Sequence, residues 1–413
     1  MAILKPFRAV RPRPEFAANV ASRPYDVLNE MEAKTEAGDN ALSFYHVIKP
    51  EIDCPDDMDH YAPEVYAKGK ENFDRMLNEG VFLQEEKPCI YIYRQTMMGR
   101  EQYGIVGLAS IEDYFNDIVK KHELTRPEKE EDRKNHVRVG QMHSEPVFYA
   151  IRQVAALDHM VKRATEKNPV YDFIADDAIG HTVWVVDDDL LISDIVEAFA
   201  AIPYTYVADG HHRTAAAALV GRELAKANST HTGNEAYNFF LAVHFPDNQL
   251  SIIDYNRVVK DLNSLTTAQF LEKLNHGFNV ENMGNEIYKP QKLHELSLYC
   301  EGIWYRLTAR LGTYNDSDPI GVLDVTILSE QVLSPLLGIH DLRTDKRIDF
   351  VGGIRGLGEL KKRVDSGEMK AAFALYPVSM KQLMDIADSG KIMPPKTTWF
   401  EPKLRSGLLI HKF

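Results

Sequence analysis

The stretch most suggestive of chemistry is Asp209-Gly210-His211-His212-Arg213, set where an apolar run, Tyr204 to Ala208, gives way to an alanine-rich one, Thr214 to Ala227. Asp-Gly commonly marks a hairpin, but a segment of high helix propensity follows, so the pattern predicts strand, turn, helix. The first N–H groups of a helix lack intrahelical acceptors and carry partial positive charge, which favours anions. Arg213 would add a forked donor, and His211 and His212 further donors, within one turn. Ala215 to Ala218 would let the helix lie close to a sheet. The arrangement suits a phosphate group. The plain alternative is that Asp209 caps the helix while the other three side chains are solvated.

Three further stretches carry candidate chemistry. In Lys121-His122-Glu123-Leu124-Thr125, the carboxylate of Glu123 is flanked by cationic groups and could serve as a general base towards a hydroxyl. An ordinary surface glutamate is the alternative. Thr125 and Glu128 have capping-box spacing ahead of a charged helix, in which Glu130 and Lys134 form an i,i+4 pair. Phe350 to Gly358 (FVGGIRGLG) is glycine-rich between a strand and a helix. Its spacing matches neither dinucleotide nor P-loop patterns, and a tight turn explains it nearly as well. Pro394 to Arg405 (PPKTTWFEPKLR) is a stiff segment presenting lysine, two hydroxyls and an indole, read as a ligand wall or as a C-terminal clamp. No H-E-x-x-H or Cys-x-x-Cys occurs, so a histidine- or thiolate-built metal site finds little support. Mg2+ held by one or two carboxylates would leave no such mark.

The elements that must position these residues interleave. Helices are expected over Ala62 to Leu77, over the highly charged residues 111–145, and over Ile192 to Ala200, Thr267 to Leu274, Leu357 to Val364 and Met380 to Ser389. Strands are expected at Pro88 to Tyr93 and Tyr103 to Ala109, joined by a hairpin at Met98-Gly99-Arg100, and at His181 to Val186. Phe239 to Phe245 and Leu250 to Tyr255 read as a pair around Pro246-Asp247-Asn248. Further strands are expected at Ile303 to Leu307, Arg347 to Val351 and Lys370 to Tyr376. The interleaving predicts a mixed α/β (α+β) architecture. Hydrophobic content of 44% and charged content of 26% over 413 residues suit a folded chain of two or three domains. A net charge of -13 argues against binding along a nucleic-acid backbone. Three scattered cysteines (Cys54, Cys89, Cys300) point to a reducing compartment. No apolar run approaches the ~18 residues of a membrane span, and the basic N-terminus lacks the apolar centre of a secretory signal. A cytoplasmic location without membrane contact is the expectation.

Nearly the whole chain, from Lys5-Pro6-Phe7-Arg8-Ala9 to the PPKTTWFEPKLRSG tail, resembles a bacterial and archaeal family filed as a domain of unknown function (number 1015). RPYDV (Arg23 to Val27), KHELTRPEKEEDR (Lys121 to Arg133), ADGHHR, YNRVVKDL (Tyr255 to Leu262) and RIDFVGGIRG (Arg347 to Gly356) carry that resemblance. More distantly, D-G-H-H-R before a helix is similar to the phosphate-binding turn of the ParB/sulfiredoxin superfamily. Within it, ADP-dependent free-serine kinases share a His-Glu, the D-G-H-H-R turn and a P-K-T-T segment, in that order. The resemblance implies Glu123 as base with His122 beside it. It implies that Asp209, Gly210, His211, His212 and Arg213 hold nucleotide phosphates and their metal, with Lys396, Thr397 and Thr398 on the acceptor side. Two departures stand out. A long insertion separates Glu123 from Asp209, and Trp399 follows the threonines where the kinases have a basic residue.

The resemblance thus implies an N-terminal extension (1–110), a ParB/sulfiredoxin-like phosphate-binding core (111–235) and a C-terminal α/β part (236–413). The expected activity is Mg2+- and ADP- or ATP-dependent phosphoryl transfer to a small hydroxylated metabolite, with free L-serine the best candidate, in either direction. The alternatives are a ParB-like nucleotide-binding regulator without turnover and a phosphatase with water as acceptor.

Overall fold

The computed structural model describes residues 1–413, which divide into two compact units: residues 1–250 with 402–413, and residues 251–401. Both mix helices and strands. The first unit is built on an eight-stranded sheet. Its order is Val119–Lys120, Thr205–Asp209, Val147–Ile151, Phe239–Pro246, Arg100–Ser110, Ile90–Met97, Gly180–Val186 and Tyr171–Ile174. Val119–Lys120 runs parallel to Thr205–Asp209, and Val147–Ile151 parallel to Phe239–Pro246. The other pairings are antiparallel.

Local chemistry explains several elements. Ile90–Met97 and Arg100–Ser110 form the expected hairpin, with Met97 opposite Arg100. Met98 and Gly99 both take positive φ (50° and 79°), the two-residue turn whose twist matches that of the strands. The helix Pro63–Asn78 begins on proline, whose missing N–H costs nothing at that position. It buries Val65, Tyr66, Gly69, Asn72, Phe73 and Met76 at helical spacing. The helix His211–Ala227 buries Ala215 to Ala218, and its Ala217 and Ala218 pack with Tyr149, Val207 and Phe240 of the sheet.

The second unit carries a six-stranded antiparallel sheet, ordered Phe278–Gly284, Ile303–Ala309, Glu295–Cys300, Ala371–Ala374, Tyr255–Val259 and Ile348–Gly352. Thr267–Leu274, Gly356–Asp365 and Met380–Asp388 are helices, close to the expected bounds. No helix of the chain is long and apolar enough to cross a membrane.

Five expectations need correction. The bounds at 110 and 235 do not mark compact units, because Arg100–Ser110 lies between Ile90–Met97 and Phe239–Pro246 in one sheet. Phe239–Pro246 does not pair with Leu250 to Tyr255; Asp247–Gln249 forms a short 3-10 turn, and Ile252–Ile253 pairs with Trp399–Phe400 inside the second unit. Residues 111–145 are not continuous helix, since the strands Val119–Lys120 and Met142–His143 interrupt them. The capping box at Thr125 does not form: Pro127 starts the helix, Arg126 is its cap, and the Thr125 hydroxyl donates to Glu130 at 2.8 Å. Lys134 accordingly meets Glu131 (2.8 Å) and Glu223 (3.5 Å) rather than Glu130.

Candidate active site

Two adjacent parallel strands of the first unit end side by side. Thr205 pairs with Val119 and Tyr206 with Lys120, so Asp209-Gly210 and His122-Glu123 leave neighbouring strands at the same, carboxyl end. Such ends are where open α/β sheets bind ligands, because the chain turns away and leaves a crevice. The chain between Glu123 and Asp209 forms Pro127–Gly140, Val147–Ile151, Ala155–Ala164, the Tyr171–Ile174 and Gly180–Val186 hairpin, and Asp189–Phe199 before returning. The insertion that separates the two motifs in sequence therefore does not separate them in space.

Gly210 takes φ 95°, a left-handed turn that only glycine adopts without strain. A Cβ there would also stand 3.2 Å from the Arg213 guanidinium, which folds back over the turn. The helix begins at His211, three residues before the expected start, and Gly210 rather than Asp209 is its cap. His211, His212 and Arg213 thus form the first turn, whose backbone N–H groups lack intrahelical acceptors.

Asp209 ends its strand as the hub of a charge cluster. Arg213 Nη2 donates to its Oδ2 at 3.0 Å, and Lys403 Nζ lies 3.4 Å from its Oδ1. Burial works against the carboxylate, but Lys403 and Arg213 outweigh it and hold its pKa at about 2. Arg213 also donates to the Pro146 carbonyl at 2.6 Å. Burial opposes its charge, yet Asp26, Asp209 and Glu145 together raise its pKa further. Its fork therefore faces the protein, where sequence reasoning expected it to face a phosphate. His212 is likewise engaged, its Nε2 accepting the Arg126 backbone N–H at 3.0 Å. That bond ties the turn to the cap of helix Pro127–Gly140.

His122, Glu123 and His211 meet beside this cluster. The two imidazoles stack edge to face with ring centres 4.5 Å apart. His122 gives a ring N–H to the Val207 carbonyl, and burial lowers its pKa to about 4. Burial, followed by the neighbouring His122, also pushes His211 well below its ordinary value. Glu123 is half-buried. One ligating atom from each of the three residues lies within 4.8 Å of the others.

This set tests the expected Mg2+. Mg2+ takes oxygen ligands, whereas here one carboxylate stands with two imidazoles and the nearby Asp209 already neutralises two cations. The residues present do not form a Mg2+ cage.

Below the turn lies a support that sequence reasoning missed. Glu145 accepts the Tyr25 backbone N–H at 3.1 Å and the Ser406 hydroxyl at 3.2 Å. Arg133 reaches Glu145 at 3.6 Å and Asp132 at 2.8 Å, and lies 3.8 Å from the centre of the Tyr25 ring. Glu145, Arg133 and Asp132 are all buried. The tail that delivers Lys403 is pinned: Gln95 donates to its carbonyl at 2.8 Å, and buried Arg405 bonds His181 at 3.1 Å and pairs with Asp177. Tyr25, Asp26, Arg133, Lys403 and Arg405 lie in the RPYDV, KHELTRPEKEEDR and PPKTTWFEPKLRSG segments, so motif positions were the available signal. Nothing local marked Glu145.

The remaining predicted residues belong to the second unit. Lys396 is exposed in a left-handed conformation (φ 58°), and the Thr397 hydroxyl donates to the Pro394 carbonyl at 2.6 Å. Fully buried Arg257 donates to the Lys396 carbonyl at 2.9 Å, and burial lowers the Arg257 pKa to about 9. Thr398 is half-buried ahead of the strand Trp399–Phe400. The glycine-rich turn packs closely: a Cβ on Gly352 would lie 2.9 Å from the Trp399 ring, and one on Gly353 2.6 Å from Asp254.

The family described as "Protein of unknown function (DUF1015)" matches residues 4–326. No curated protein matches the chain. Similar solved structures include a free serine kinase mutant in complex with AMP, at 12% identity and a TM-score of 0.37, covering 74% of this chain and 91% of that one. SbnI with a C-terminal truncation from Staphylococcus aureus gives 11% identity and a TM-score of 0.38, with coverage of 74% and 87%. A conserved hypothetical protein from Pyrococcus furiosus gives 15% and 0.35, with coverage of 74% and 94%. At these values none of the three assigns an activity or a site residue to this chain.

Proposed function

The chain belongs to the DUF1015 family of proteins of unknown function, and for it we propose a nucleotide-dependent phosphotransferase acting on a small hydroxylated metabolite, with free L-serine the first acceptor to test. One observation carries the reading. A half-buried carboxylate, Glu123, stands beside the first turn of helix His211–Ala227, at the shared carboxyl end of two parallel strands. The helix start attracts the phosphate through its unpaired N–H groups, and Glu123 takes the proton of the attacking hydroxyl. Positioning of the two reactants and electrostatic support are most of what phosphoryl transfer requires.

In this reading Arg213, Asp209 and Lys403 hold the turn in shape, and His212 fixes it to the neighbouring helix. Lys396, Thr397 and Thr398 belong to the second unit and are given no role in the transfer.

Phosphorus NMR on the purified chain with Mg2+ tests it, comparing ADP with ATP in the presence of L-serine, then phosphoserine with AMP for the reverse direction. The expected result is a serine-dependent phosphoserine signal. Glu123→Gln should reduce its rate by roughly 10²–10⁴-fold while leaving nucleotide affinity nearly unchanged. Phosphate released without serine dependence would make the protein a phosphatase. Nucleotide binding with unchanged spectra in every mixture would make it a nucleotide-binding regulator.

A further inference from the structure

The nitrogen-rich ligand set around Glu123 suits a different ion from the one that accompanies nucleotides. Two imidazoles and one carboxylate form the donor set of Zn2+ or Co2+ rather than of Mg2+. Bonds of about 2.0–2.2 Å place any two ligating atoms within roughly 4.4 Å. Here one ligating atom from each of His122, Glu123 and His211 lies within 4.8 Å of the others, so coordination requires the three side chains to draw together.

Both imidazoles are prepared for this role. His122 is 1% exposed and gives one ring N–H to the Val207 carbonyl. A metal-binding histidine is oriented in the same way, with the opposite nitrogen left as the lone-pair donor. His211 is 8% exposed, and its Nε2 is buried without a hydrogen-bond partner. An uncompensated buried ring nitrogen next to a second imidazole and a carboxylate is a destabilising arrangement that a bound cation would relieve. Arg213 and Lys403 pair with Asp209, and Lys121 sits over the Tyr114 ring.

We propose that His122, Glu123 and His211 bind one divalent transition-metal ion, and that the ion masks the Glu123 carboxylate. The binding claim stands on this geometry alone, whereas the masking claim rests on the phosphotransferase reading. A carboxylate whose lone pair is engaged by a metal is a poor proton acceptor, so occupancy would act as a reversible brake.

The test uses the full chain stripped with a chelator and then titrated separately with Zn2+, Co2+ and Mg2+. Zn2+ and Co2+ should bind one per chain and raise Tm by several degrees, with Co2+ giving the visible absorption of a nitrogen- and oxygen-ligated ion. Mg2+ at the same concentration should leave Tm unchanged. His211→Asn and Glu123→Gln should each weaken binding at least tenfold, whereas His159→Asn, at an exposed position on another helix, should not. Glu123→Gln is nearly isosteric and guards against the case in which His211→Asn fails to fold. Absence of Zn2+ and Co2+ binding, or binding equal to wild type in both variants, overturns the site. Phosphoryl transfer that proceeds undiminished with the ion bound overturns the masking. Ion binding without transfer in any mixture upholds the site and removes the phosphotransferase reading together with the masking that rests on it.

Discussion

Each unit contains a strand, a glycine turn and a helix, and the two are used in opposite ways. In the first, Gly210 turns Thr205–Asp209 into His211–Ala227, and the polar side chains of the turn reach a buried ionic cluster. In the second, Ile348–Gly352 leads through Gly353–Arg355 into Gly356–Asp365, and Gly352 and Gly353 are small because Trp399 and Asp254 press against them. The local pattern is shared, so the pattern does not carry the chemistry. What lies against the turn does: carboxylates, imidazoles and lysine in one case, an indole and a tightly packed Asp254 in the other.

Breaking the ionic turn should have the largest effect. Arg213→Met leaves Asp209 and Glu145 without the cation they share, and removing one partner from a buried ionic network costs about 3–5 kcal/mol. Urea unfolding of the variant should show a loss of that size, and a loss below about 1 kcal/mol would place the cluster in effective contact with solvent.

The two units should also respond to pH in opposite directions. In the first, burial lowers His244 and His411 from 6.5 to about 4 each. Between about 6.5 and 4 the unfolded chain binds more protons there than the folded one, so stability falls as pH drops through that window. In the second, burial raises Asp324 from 3.8 to about 7, although backbone N–H groups, including that of His294 at 2.8 Å, hold it. The folded state then binds the extra proton, so this contribution is full below about 3.8 and lost as pH rises through about 7. Each group contributes on the order of 3 kcal/mol. Asp324→Asn should stabilise the chain above pH 7 and abolish that arm of the profile, while His244→Phe should flatten the acid arm. Urea midpoints across the two windows would measure both, and an unchanged profile in either variant would show that another group controls it.

The smallest effect belongs to the packed glycine turn. Gly353→Ala should cost about 1–3 kcal/mol through crowding against Asp254, without altering ion or nucleotide binding at the first unit. Gly356→Ala sharpens the contrast. That position has nothing within 4 Å of a Cβ but takes φ 68°, so any loss there reports backbone strain alone. A change in ligand binding in either variant would mean that the turn does more than pack.

The strand–turn–helix at Asp209 to Arg213 was legible because each part is local. Asp-Gly sets the turn, alanines set the helix, and the i,i+4 spacing puts Asp209 and Arg213 within reach of one another. The directions of those side chains were not legible. Arg213 turns inward because Glu145, Asp26 and the Pro146 carbonyl wait there, and no spacing within the motif predicts them. The capping box at Thr125 failed for a local reason instead: Pro127 is a stronger helix start than the Thr125 side chain.

By itself, then, the sequence determined the alternation of strands and helices, the glycine turn and the family. Local propensity and short-range sterics act within a few residues and can be read there. Only the tertiary structure decided that Glu123 meets His211, that Lys403 meets Asp209, and that Tyr25 and Glu145 lie beneath the turn. Those meetings depend on which strands pair and in which direction. Strand pairing is settled by burying a whole sheet face at once, and no single segment of the chain contains that information.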